Sequence, residues 1–119
     1  MKVALTIWEN RISPLFDSAR MLLIVDIFDS MTTNRHYQTF SCESPFSRAA
    51  TLSNLDVTIL ICGAISDPFA KTIESNGIRI IPFIAGAIDE VLDAYLRGEL
   101  SDSKFQMPGC ETRDDTGLS

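Results

Sequence analysis

Apolar positions fall in short blocks along the chain, and their spacing changes part-way. Residues 2–8, "KVALTIW", and 21–28, "MLLIVDIF", are apolar runs of strand length; the second is nearly continuous, as in a strand buried on both faces. "DSMT" supplies a turn. "TNRHYQTF", within residues 32–40, then mixes polar and aromatic side chains and predicts a half-exposed strand with Arg35 and His36 guarding an edge. The connections are short, so these strands are expected to pair antiparallel. Beyond them, helices and strands alternate. Ser44-Pro45 opens a helix, with Pro at its first position and Phe46, Ala49 and Ala50 expected on one face. "DVTILIC" reads as a buried strand. Asp67-Pro68 repeats the helix start with Asp67 as cap; Phe69 and Ile73 lie one turn apart, and Asn76-Gly77 is the stop. "IRIIPFI" is another strand. Ile88, Val91, Leu92, Tyr95 and Leu96 form the stripe of an amphipathic helix that Arg97-Gly98 ends. The order βββαβαβα predicts a mixed five-stranded sheet flanked by helices, in one α/β domain over residues 1–98. Residues 99–119 are polar, turn-rich and aperiodic, and are expected to form a flexible tail.

One internal repeat bears on function. "CGAISD" at 62–67 and "AGAIDE" at 85–90 each stand between a strand and a helix and share Gly-Ala-Ile. Their glycines permit close backbone approach, and each following helix turns its free N–H groups toward the carboxyl edge of the sheet. If the first strand runs parallel to "DVTILIC", the loop "WENRIS" reaches that same edge, where ligands of open α/β sheets bind. Packing of small residues at two helix starts accounts for the repeat equally well.

Composition then narrows the functional classes. A chain of 119 residues with 45% hydrophobic residues forms a single core without staples. The longest apolar runs fall far short of the ~20 residues of a membrane span. "MKVALTIWE" enters a strand directly and has no signal-peptide pattern, so a cytoplasmic location is expected. The net charge of −6 works against generic binding to nucleic acids or anionic membranes. The three cysteines, Cys42, Cys62 and Cys110, are far apart and form no CxxC pair.

The motifs of the common chemistries are missing. Neither GxxxxGK[ST] nor GxGxxG nor GxSxG occurs, and the single histidine, His36, lies in the expected edge strand. The strand and helix order is that of the ribonuclease H-like fold, which raises the question of a metal-dependent nuclease. That chemistry needs carboxylates converging on divalent ions. The first strand carries no acid, and Asp26 and Asp67 make an unconvincing set. Soft-ligand chemistry remains. Cys62 follows a central strand beside a helix N-terminus, which favours thiolate, although a buried structural cysteine is the more ordinary reading of such a position. Cys110, in "FQMPGC" beside Met107, is placed to reach a metal from a mobile segment.

With these residues in view, "VALTIWENRISPLFDSARMLLIVD", "LICGAIS", "GIRIIPFIAGAIDEVLDAYLRGEL" and "MPGC" resemble the dinitrogenase iron–molybdenum cofactor biosynthesis family across nearly the whole chain. The resemblance implies a non-catalytic ribonuclease H-like protein that binds or carries an iron–sulfur or molybdenum-containing cluster. The positions it singles out are Trp8, Glu9, Asn10, Arg11 and Ser13 on the loop, with Pro14, Phe16 and Asp17 behind them, then Cys62, Gly63, Ala64, Ile65 and Ser66, and Gly86. Cys62 and Cys110 are the expected metal ligands. Expected partners are the cluster itself and a cluster-handling ATPase or other assembly protein, with a homodimer as a further option and no nucleic acid or membrane. The alternative is an interaction or dimerisation module without a ligand of its own, built on the edge strand and the tail.

Overall fold

The computed structural model describes residues 1–40, 44–100 and 105. Strands β1 (Lys2–Trp8), β2 (Arg11–Ile12), β3 (Met21–Phe28) and β4 (Met31–Thr39) precede helix α1 (Pro45–Asn54). Then follow β5 (Ile59–Ile61), α2 (Asp67–Ser75), β6 (Arg79–Ile81) and α3 (Ile88–Leu96). The main sheet runs β4-β3-β1-β5-β6, and β2 pairs with β1, so the described residues form six strands rather than five. The extra strand is the Arg-Ile of "WENRIS", too short for periodicity to reveal. β1 pairs antiparallel with β3 and parallel with β5, whereas β5 and β6 are parallel. The arrangement is that of a ribonuclease H-like α/β domain.

Alternation along the strands divides the core into two layers. Val3, Leu5, Ile7, Leu23 and Val25 face α3, packing on Ile88, Val91 and Leu92. Ala4, Leu22, Ile24 and Leu60 face α1 and α2, packing on Leu52 and Ile73. Two-sided burial explains why β3 reads as an unbroken apolar run. The β3–β4 hairpin closes through Asp29 and Ser30, both at positive φ (56° and 63°), as a two-residue type I′ turn requires.

Several local expectations are corrected. In α1 the buried residues are Arg48, Ala49 and Leu52, whereas Ala50 is exposed and Phe46 is 77% exposed. The stripe follows positions 48, 49 and 52, and a long polar side chain occupies one of them. Ser44 caps α1 by accepting a hydrogen bond from the Ser47 N–H at 3.1 Å. In α2 the N-cap position belongs to Ser66 and Asp67 is the first helical residue, one place later than its assigned role as cap. The core also extends past residue 98. Leu100 and Phe105 are 7% and 4% exposed and join the α3-side layer, and the Phe105 carbonyl accepts from the Ala85 N–H at 2.8 Å. The folded unit therefore takes in Phe105, beyond the expected boundary. No helix among the described residues is long and apolar enough to cross a membrane.

Candidate functional site

The loop after β1 is sewn to both Gly-Ala-Ile turns by main-chain hydrogen bonds. Toward the first turn, the Ala64 N–H donates to the Pro14 carbonyl at 2.9 Å and the Phe16 N–H donates to the Ala64 carbonyl at 2.7 Å. Toward the second, the Ile12 N–H donates to Gly86 at 3.0 Å and the Ile88 N–H to Asn10 at 2.9 Å. Parallel pairing of β1 with β5 carries the loop to this edge. The residues singled out in the sequence are therefore neighbours on one side of the molecule.

Gly63 explains why the seam closes. A Cβ at this position would stand 2.5 Å from both the Ser13 and Pro14 carbonyl oxygens. The close approach is made by the protein's own backbone, which accounts for the glycine without any ligand. Gly86 has φ of 135°, a conformation that L side chains rarely adopt. Two larger residues at this edge also hold positive φ, Glu9 at 58° and Phe83 at 62°, and the Phe83 N–H donates to Gly63 at 2.9 Å. Nothing in the sequence around Phe83 signals this conformation.

Below the loop, Cys62 is fully buried in the layer facing α1 and α2. Burial, reinforced by the charge of Asp17, pushes its thiol up to about 12. Proximity to a helix start does not favour thiolate here, because loss of solvent outweighs it. In this fold Cys62 is a buried, protonated thiol. Asp17 itself accepts from the Ser66 N–H at 3.2 Å, so a carboxylate of this chain already occupies the start of α2. Thr6 is also buried, and its hydroxyl has no hydrogen-bond partner among the described residues. Cys42 and Cys110 lie outside the described residues.

Arg48 is the residue that sequence reading missed. It is 2% exposed, and its guanidinium lies 4.3 Å from the Phe40 ring centroid and 5.3 Å from that of Phe16. Its two terminal nitrogens donate to the Phe16 carbonyl at 2.7 Å and the Ala19 carbonyl at 2.9 Å. The short helical turn Phe16–Ser18, which carries Asp17, is thereby fastened from inside. A polar residue at i+4 from the Ser44 cap, beside Ala49 and Leu52, was the available signal.

The surface beside the loop forms a cleft of about 520 Å³. Trp8, Glu9, Ser13, Pro14 and residues 18–21 line it. Trp8 is 57% exposed. Arg11, Cys62, Gly63 and Gly86 do not line this cleft, so the expected residues share an edge but not one cavity. Asp26 and Asp67 do not meet. Asp26 pairs with Lys2 at the start of β1, whereas Asp67 begins α2 beyond the carboxyl end of β5. Among the described residues no three His, Cys, Asp or Glu side chains converge to hold a metal ion.

Comparisons with known proteins agree with this architecture. The family model for "Dinitrogenase iron-molybdenum cofactor" matches residues 1–98. Among solved structures, PH0822 superposes with a TM-score of 0.79 at 21% identity, covering 84% of this chain and 94% of the other. A protein of Methanocaldococcus jannaschii provisionally termed a dinitrogenase superposes with a TM-score of 0.69 at 26% identity, covering 85% and 92%. A Thermotoga protein provisionally termed NifB gives 0.65 at 18% identity over 96% and 98%. No curated protein matches the chain significantly. With its sequence matched over residues 1–98 and its fold shared, the chain belongs to the dinitrogenase iron–molybdenum cofactor family and is a small protein related to that cofactor's biosynthesis.

Proposed function

We propose that this protein binds a preassembled anionic metal–sulfur cluster, iron–sulfur or molybdenum-containing, at the carboxyl edge of its sheet and carries it without transforming it. The supporting observation is the seam of main-chain hydrogen bonds that gathers "WENRIS", "CGAIS" and "AGAI" at one edge while leaving Trp8 largely exposed. A single ion caged by protein ligands does not fit the described residues, which offer no converging donor set. An assembled cluster fits better, because it brings its own bridging sulfides and needs counter-charge, hydrogen bonds and few protein ligands. Gly63 and Gly86 shape the edge and do not need to touch the cargo. Cys62 is fully buried, so it becomes a ligand only when the packing around it opens and its thiol ionises on the metal.

Anaerobic reconstitution with iron, sulfide and molybdate, followed by gel filtration, visible absorption and metal analysis, tests the reading. Retention of metal and sulfide by the wild-type chain is expected, and a wild-type chain that emerges without metal overturns it. Full retention by a Cys62→Ser/Cys110→Ser double variant removes the cysteines from the ligand set and leaves binding by charge and hydrogen bonds.

A further inference from the structure

We infer that the cleft lined by Trp8 and Arg20 is the seat of the proposed anionic cargo and that Arg20 is its counter-ion. The inference rests on the cluster-binding reading but makes a separate claim, because the sequence pointed to Arg11. The volume of about 520 Å³ falls among those of small-molecule sites. Trp8, Pro14 and Met21 supply an indole, a pyrrolidine and a thioether, surfaces that are polarisable and weakly hydrated. Such walls suit sulfide, whereas a strongly hydrated oxoanion loses more water than they replace.

Charge fixes the ligand's position within the cleft. Glu9 and Arg20 both line it, so an anion is repelled by the carboxylate and drawn to the guanidinium. No ion pair engages Arg20 among the described residues. Arg20 and Met21 immediately follow the turn that Arg48 fastens through the Phe16 and Ala19 carbonyls, so this wall stands on a buried anchor. Arg11 instead sits on β2, bridged to Ala87, and does not line the cleft.

Trp8 is the only tryptophan of the chain, so its fluorescence reports occupancy directly. The probe is tetrathiomolybdate, and molybdate is the control, with the same charge and tetrahedral shape but hard oxygen donors. Saturable quenching by tetrathiomolybdate, corrected for its own absorption, is expected. Binding should weaken about tenfold in Arg20→Gln, a loss of about 1.4 kcal/mol. It should tighten in Glu9→Gln and stay unchanged in Lys71→Gln, which removes an exposed positive charge on α2. Equal binding of molybdate overturns the ligand class. Weakening in Arg11→Gln with none in Arg20→Gln overturns the seat. A protein that retains a cluster on reconstitution yet shows no saturable quenching overturns the cleft alone. Quenching without cluster retention overturns the carrier function and leaves the cleft, and failure of both overturns both.

Discussion

Cys62 has a chemistry set by its surroundings and not by its neighbours in sequence. A thiol after a strand and before a helix is placed to ionise, yet it lies in the core layer facing α1 and α2, and burial raises its pKa to about 12 from an ordinary 9.0. The folded thiol then keeps its proton where an unfolded one loses it. Between those values the unfolded chain binds fewer protons, so this contribution to stability is complete below pH about 9 and is lost as pH rises toward 12. A three-unit separation corresponds to roughly 4 kcal/mol at the upper limit. Urea denaturation of the wild type and Cys62→Ser between pH 8 and 10.5 checks this. The wild type's advantage should shrink as pH rises; a constant difference contradicts the assignment. Gly63 acts at the same scale by a different cause, since only a residue without Cβ lets the Ser13 and Pro14 carbonyls come so close.

Among the elements, the connection between α1 and the Phe16–Ser18 turn is made through one side chain. Arg48 reaches from the helix to the Phe16 and Ala19 carbonyls and stacks among Phe16, Phe40 and Phe69. Removing it strips both carbonyls of a charged donor and opens space in the core. Arg48→Ala should cost about 3 kcal/mol by chemical denaturation. Arg48→Lys should recover only a minor part, because one ammonium cannot span both carbonyls in the geometry of a planar guanidinium fork. Recovery to wild-type stability in the lysine variant would show that charge alone matters. The same turn leads into residues 18–21, so this anchor also governs one wall of the cleft. β4 shows the opposite condition: it is the outer strand beyond β3, an edge as expected, but its residues 31–37 are all exposed where a half-exposed strand was expected.

At the scale of the whole molecule, the two faces of the sheet are covered unequally. α1 and α2 cover one face, whereas α3 covers the other with help from Leu100 and Phe105. The Phe105 ring stands 3.6 Å from where a Cβ on Gly86 would lie, and its carbonyl holds Ala85, so Phe105 supports the second Gly-Ala-Ile turn. Phe105→Ala should lower stability by roughly 3 kcal/mol, and a chain ending at residue 98 should melt at a lower temperature than the full chain. Equal melting temperatures would show that this segment adds nothing to the fold.

The order of elements, the Pro-led start of α1, the turn at Asp29-Ser30 and the Asn76-Gly77 stop could all be read from the sequence, because hydrophobic period and turn chemistry act over a few residues. So could the shared edge of "WENRIS" and the Gly-Ala-Ile turns, once β1 was taken as parallel to β5. The inward face of α1, the two-residue strand β2, the place of Phe105 in the core and the state of Cys62 could not. Each depends on tertiary partners: Arg48 on carbonyls 32 and 29 residues away, β2 on its register with β1, and Cys62 on the core packing that removes it from water. The sequence by itself determined the layers and the family, since burial and local backbone preference act residue by residue. Only the tertiary structure decided which side chains share a cleft, because that depends on the register of β1 against β3, which sets Ile7 opposite Met21.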